Sequence, residues 1–264
     1  MLLKIRHVTT YRYQEPVRYG LQRLRIVPVS GPTQRVLSWK LEIEGAREEV
    51  RFSDQFANDT RLLSVDGDQS FIEIVADGEV ETLDSTGIYG REYGFAPLWL
   101  FGRETDLTRP GEGVATLMVD LPGTSEVDRL HALIHRIREQ VEYVPGTTDV
   151  GTTAEEALAQ GQGVCQDHAH IFIAVARRMG LPARYISGYL MMDGVDDQVA
   201  THAWAEVHVE TLGWVGFDVS NGISPDERYV RLAVGLDYRC AMPVSGIRTG
   251  QGTEELAVHI SVQQ

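Results

Sequence analysis

Two cysteines, Cys165 and Cys240, are all that this chain of 264 residues contains. A pair cannot build a disulfide framework, and a thiol that does chemistry has to stay free. Positive charge is also scarce: 24 Lys and Arg stand against 38 Asp and Glu, a net charge of −14. Phosphate binding needs basic side chains gathered on one surface, so no nucleic-acid partner is expected. No run is long and apolar enough to span a bilayer, so no membrane partner is expected either. The N-terminal Met1-Leu2-Leu3-Lys4-Ile5-Arg6-His7 breaks its apolar residues with charge too early for a signal peptide, and a cytoplasmic location is the expectation. Internal repeats and low-complexity stretches are missing. What remains, 43% hydrophobic and 23% charged, is the composition of a globular protein with length for one large or two ordinary domains.

The first part of the chain reads as β. Val8 to Tyr13, Leu21 to Val27, Val36 to Ile43 and Ser70 to Val80 alternate apolar and polar residues between turn signals, which predicts a small antiparallel sandwich. His7 stands alone there and is expected to be structural. Between Tyr93 and Leu121 the composition shifts to Gly, Pro and acid, which places a linker and divides the chain into 1–105 and 106–264. Beyond it, Val127, Leu130, Ile134, Ile137 and Val141 recur at helical spacing after Thr124-Ser125. Thr153 and Glu156 have the spacing of a capping box. Val164, His168, Phe172, Val175 and Met179 then share a stripe that ends at Gly180-Leu181-Pro182. Strands over 183–190, 201–209 and 214–219 follow, with an acidic loop at Met192 to Asp197 between the first two. Helices first and strands after predict an α+β core.

Counting back from Pro182 puts Cys165 in the first turn of that helix. A helix N-terminus favours an anion, and an imidazolium nearby favours thiolate further. Gly161 and Gly163 keep the approach to Cys165 free of bulk, and the Cys165 N–H can face a developing oxyanion. His202 is the candidate proton carrier, with Asp218 fixing its ring. Side chains alternate along a strand and directly opposed residues share a face. His202 and Asp218 therefore share a face only if the hairpin loop is odd in length or carries a bulge. A loop of Glu210-Thr211-Leu212 with Gly213 in a bulge satisfies this and sets Asp218 opposite Trp204, diagonal to His202.

Blander readings compete. A cysteine on an apolar helix is commonly a small buried hydrophobe. Cys165, His168, His170 and His208 could suggest a metal, but the spacing is not that of a known zinc motif, and neither metal nor other cofactor is expected. Asp167 suits the helix dipole and is expected to bond backbone or a neighbouring strand. Trp204, Trp214, Tyr189 and Tyr143 are candidate cleft walls, and Gln162 and Gln166 are candidate second oxyanion donors.

The three blocks Gly163-Val164-Cys165-Gln166-Asp167-His168-Ala169-His170, Thr201-His202-Ala203-Trp204-Ala205-Glu206-Val207 and Gly213-Trp214-Val215-Gly216-Phe217-Asp218 closely resemble the bacterial transglutaminase-like superfamily. The resemblance implies a papain-like triad of Cys165, His202 and Asp218. His7 to Tyr13, Leu24-Arg25 and Asp54-Gln55-Phe56-Ala57-Asn58 look like the β domain that often precedes this core. Two departures concern the site: His168 where an aromatic is common, and Asp218-Val219-Ser220-Asn221-Gly222 where members often carry Asp-Pro-Thr-Asn-Gly. The segment after Asp237, Arg239-Cys240-Ala241-Met242, also departs.

A thioester acyl-enzyme can be resolved by water or by a lysine amine, and the same triad serves both. The resemblance favours a cysteine protease or amidase acting on a peptide or protein substrate. A protein cross-linking transglutaminase and a non-catalytic peptide-binding module are the alternatives.

Overall fold

The computed structural model describes residues 1–264 apart from 92–94, 196 and 251, with residue 66 described through its backbone alone. Tyr93, where the expected linker starts, and Asp196 of the acidic loop therefore lie outside the described residues.

The N-terminal strands are longer than their alternation suggests. β1 runs Leu2–Val27, β2 Gln34–Glu44, β3 Arg47–Ser53 and β4 Asp59–Thr82. Pro16 has no N–H for a ladder, which is why two strands are predicted where there is one. Register shifts between Arg12 and Val17, and again between Val17 and Tyr19, let β1 bend past it. β4 follows β1 antiparallel and carries β2 along one half and β3 along the other. The result is one curled sheet, whose two halves bury Leu3, Ile5, Ile72 and Ile74 together with Leu24 and Leu63 in a common core.

β5 (Ile88–Gly90) leads to the second sheet. The stretch expected as a linker is packed instead. Phe101, in a short 3-10 turn, sits with its ring centroid 5.7 Å from Phe56 and 5.0 Å from Trp214. Leu107 is fully buried. Then come α1 (Glu112–Leu117) and α2 (Glu126–Gln140). α2 starts at Ser125, whose hydroxyl accepts from Asp128 N while the Asp128 carboxylate accepts from Ser125 N. β6 (Glu142–Tyr143) and α3 (Ala154–Gln160) follow, the latter opened by the expected Thr153–Glu156 box and closed by Gly161 in the left-handed region. β7 (Gln162–Gly163) runs parallel to β6 and delivers the chain to α4 (Cys165–Arg178).

After α4 the chain forms β8 (Ala183–Leu190), β9 (Asp197–Gln198), β10 (His202–Val209), β11 (Gly213–Phe217) and β12 (Tyr229–Gly235). Among the described residues the second sheet has the order β12-β8-β10-β11-β5. α4 lies against its Ala203, Ala205 and Val207 face. α5 (Tyr238–Ala241), β13 (Val244–Thr249) and β14 (Glu254–Gln263) close the chain. Both last strands pair with β1, so the stretch 244–263 belongs to the N-terminal sheet. Local alternation says nothing about which distant strand will be the partner.

β12 has β8 on one side. Its other side is met by side-chain amides from the N-terminal sheet. Asn58 accepts from Val234 N and donates to Val234 O, both at 2.8 Å. Gln34 does the same at Arg231, at 2.7 and 2.9 Å. Two amides thus do the work of a neighbouring strand and join the sheets.

Arg177, at the far end of α4, is buried. It donates to Phe101 O, Thr108 Oγ1, Ala183 O and Leu236 O at 2.7–2.9 Å. Burial pulls its pKa down to about 10, so it stays charged at neutral pH. Arg177→Leu should lower the unfolding free energy by roughly 3 kcal/mol or more, because several buried acceptors lose a charged donor. The urea midpoint measures this, and an unchanged midpoint would show the contacts to be dispensable.

Candidate active site

The turn before Cys165 is shaped by Asp167. Its Oδ2 accepts from Val164 N at 2.8 Å and from Thr148 Oγ1 at 2.7 Å, folding the carboxylate back over the helix start. Burial raises its pKa against the lowering effect of those bonds. A Cβ at Gly163 would lie 2.8 Å from Asp167 Cβ, so this glycine makes room for a neighbouring side chain rather than for a substrate. Cys165 itself is half-buried at the first helical position. The early N–H groups of a helix have no intrahelical acceptor and face outward there.

The β10–β11 hairpin meets the parity condition through an odd loop. Val209 pairs with Gly213, leaving the three residues 210–212 between them, and the register continues to Ala205 opposite Phe217. Gly213 adopts φ 81°, and a Cβ there would meet Gly90 at 2.4 Å. One step further along, Asp218 N turns away to Ile223 O, so the ladder ends as the carboxylate reaches the imidazole.

His202 Nε2 and Asp218 Oδ2 are 2.6 Å apart. With Nε2 so engaged, Nδ1 is the ring nitrogen left for Cys165, whose negative charge acts on the imidazole. Sequence, strand parity and helix start thus bring Cys165, His202 and Asp218 into one line. Burial disfavours the His202 imidazolium, but its bond to Asp218 and the negative charge of Cys165 and Asp218 outweigh this and raise the pKa to about 10. Asp218 is fully buried. Burial pushes its pKa up, and the opposing effects of His202, Asn221 and Tyr229 bring it below the ordinary carboxylate value. Tyr229 Oη and Asn221 Nδ2 both donate to Oδ2 at 2.7 Å, and Asn221 N donates to Oδ1 at 3.2 Å.

Tyr143 is half-exposed on β6, level with Gly163 on β7. Burial, together with the negative charge of Cys165 and Asp218, raises its pKa to about 12. The sequence offers Tyr143 only as a wall. Asn221 carries a readable signal, an amide three residues after Asp218 in a turn ending at Gly222. Tyr229 carries none, since β12 reaches the site through sheet pairing alone.

Other candidates are placed differently. Trp204 is buried and stacks behind His202, with centroids 6.3 Å apart and planes at 28°, while Tyr229 meets Trp204 edge-on. It therefore holds the imidazole and does not face the cleft. Tyr189 is buried with the N-terminal core, its hydroxyl 2.9 Å from His7 Nδ1. Its alternation along β8 marks a buried strand, and both faces of a covered sheet are buried. His7 is bonded on both ring nitrogens, as a structural histidine should be. Trp214 lies under Arg184, 3.9 Å from its guanidinium carbon. Gln162 is half-buried in β7, and the Gln166 amide donates to Asp149 O at 3.4 Å. His168 joins Ser220 Oγ at 2.9 Å and Val141 O at 3.1 Å, so the two departures from the family pattern are each other's partner. His170 accepts instead from Tyr238 N. Those histidines diverge, and among the described residues no cluster is arranged to hold a metal.

Comparison with known proteins gives the family and the fold. Residues 115–219 match the transglutaminase-like superfamily, and residues 3–81 match the bacterial transglutaminase-like N-terminal region. An uncharacterized protein of Mycobacterium tuberculosis is 30% identical, covering 92% of this chain and 86% of its own. Another, from Mycobacterium leprae, is 28% identical over 98% of both. A crystal structure of a candidate cysteine protease from Cytophaga hutchinsonii superposes with a TM-score of 0.80 at 20% identity, covering 100% of this chain and 90% of that one. The chain belongs to the transglutaminase-like superfamily and has its fold. No helix among the described residues is long and apolar enough to cross a membrane.

His202 binds its proton more tightly folded than unfolded. Its contribution to stability is whole below about pH 6.5 and is lost as the pH rises through about 10. Asp218→Asn should flatten that fall between pH 7 and 10, read from urea midpoints at several pH values. An identical slope in the variant would mean that Asp218 does not hold the proton.

Proposed function

We propose that this chain is a cysteine acyl-transfer enzyme acting on amide bonds, with water as the acceptor. The observation that carries the reading is His202, bonded to a buried carboxylate that Asn221 and Tyr229 also donate to, with the negative charge of Cys165 acting on the same imidazole. A histidine held in this way can leave the sulfur as thiolate while keeping the proton it will later deliver.

The Cys165 thiolate attacks the carbonyl carbon, and the C=O π electrons move to oxygen. The Cys165 N–H, with the Tyr143 hydroxyl as a second donor, would receive that oxyanion. Collapse breaks the C–N bond, and the leaving nitrogen takes the proton of His202. A thioester remains. Neutral His202 then takes a proton from water, whose oxygen attacks the thioester; the second collapse expels the thiolate and releases the acid. Asp218 keeps the ring in place throughout and stabilises its cationic form. Asn221 and Tyr229 are positioning residues that act through Asp218. No cofactor is required by these steps.

Peptide and glutamine amides incubated with and without a primary amine should be hydrolysed by the wild-type protein and left intact by Cys165→Ala. Amine incorporation in place of net hydrolysis would overturn water as the acceptor. Iodoacetamide should alkylate Cys165 already at neutral pH; labelling only above about pH 8 would mark the thiol as inert.

A further inference from the structure

Two cavities meet beside the site. One of about 260 Å³ opens between the bend of β1, β13 and β14 and is bounded by Val150, in the loop that also receives the Gln166 amide. The other, of about 130 Å³, ends at Thr201, the residue before His202. Tyr11, Tyr238, Val244 and Leu256 line both, so they form one trough. The trough therefore runs from the N-terminal sheet to the residue that precedes the imidazole.

Its chemistry is narrow. Tyr11 and Tyr13 stack at 6.4 Å along one wall. Val150, Val199, Ile247 and Leu256 rim it, each more than half exposed, which gathers costly apolar surface in one place. The charged lining residues Arg248 and Glu254 neutralise one another at 2.9 Å. Gln22, buried at 7% exposure in the floor, has a side-chain carbonyl oxygen with no hydrogen-bond partner among the described residues. A buried acceptor left open is expensive unless a ligand N–H fills it. Apolar walls with one polar acceptor fit an extended peptide that carries apolar or aromatic side chains and offers main-chain N–H groups.

We propose that the N-terminal sheet is the substrate-selecting wall of this protein, and that the trough between β1, β13, β14 and Tyr238 takes the apolar or aromatic segment of the peptide presented to Cys165. The proposal rests on the acyl-transfer reading and gives the N-terminal sheet a role in it.

The test uses the full chain carrying Cys165→Ser, with fluorescein-labelled Ala-Leu-Phe-Leu-Gly and Ala-Glu-Ser-Glu-Gly as probes and fluorescence anisotropy as readout. The apolar peptide should bind at least about tenfold more tightly, and Leu256→Asp or Val150→Asp should each remove about that advantage. Val50→Asp, on the distant β3, should leave it unchanged. Equal binding of the two peptides, or an advantage that survives both groove variants, would overturn the proposal. Iodoacetamide is too small to need the trough and reports separately on wild-type Cys165. An inert thiol with selective peptide binding would remove the enzyme reading and leave the trough standing; a reactive thiol without selectivity would do the reverse.

Discussion

Helix α4 starts at the cleft and is then enclosed: from Asp167 to Arg177 its residues are buried on every side. The sheet covers one face through Ala203, Ala205 and Val207, and α1, α2 and α3 pack around the others. Fully burying side chains such as Ile171, Phe172, Ile173 and Val175 contributes roughly 1.5–3 kcal/mol each. A helix with no free face cannot tilt or slide without disturbing several layers at once. Arg177 pins its far end to four neighbours, and Asp167 pins the near end through Val164 and Thr148. The position of Cys165 is a consequence of this enclosure, and so is everything the sulfur touches.

The partner of that sulfur is held by a different kind of force. His202 sits at the start of β10, where a strand end would leave a ring free to rotate. Trp204 and Tyr229 close around it, and Asp218 fixes one nitrogen. Asp218 is itself an expensive group, a carboxylate without solvent. Three donors on Oδ2 and one on Oδ1 offset that cost, since an ionised acceptor bonded this way is much less penalised by burial. Packing sets Cys165, and a polar network sets His202.

Much of this was legible along the chain because it is local. The Ser125 and Thr153 caps, the Gly180-Leu181-Pro182 stop and the odd loop at 210–212 are all specified within a few residues. The fold class and the meeting of Cys165, His202 and Asp218 follow from those signals and from the resemblance they accompany. What stayed hidden depends on partners far away in sequence. Trp204 and Tyr189 look alike as strand aromatics, yet one backs the imidazole and the other joins a different core. The packing of Phe101 and Thr108 in the expected linker depends on Arg177 and Trp214, which no Gly and Pro count reveals. Tyr229 donates to Asp218 only because β12 lies beside β8. The stripe on α4 suggests one apolar face, whereas small residues such as Ala169, Ala174 and Ala176 let neighbours approach the rest.

The curled sheet also has an order of assembly written into it. Gln14, in the bend of β1, meets Thr253 across 239 positions of sequence. During synthesis the edge of β1 that β13 and β14 will occupy has no partner until those two strands have been made. Contacts of such long range form slowly. The compact helical core around α4 can gather its mostly local neighbours sooner. The β13 and β14 wall is therefore among the last parts to close, and a nascent chain carries Cys165 before it carries the trough.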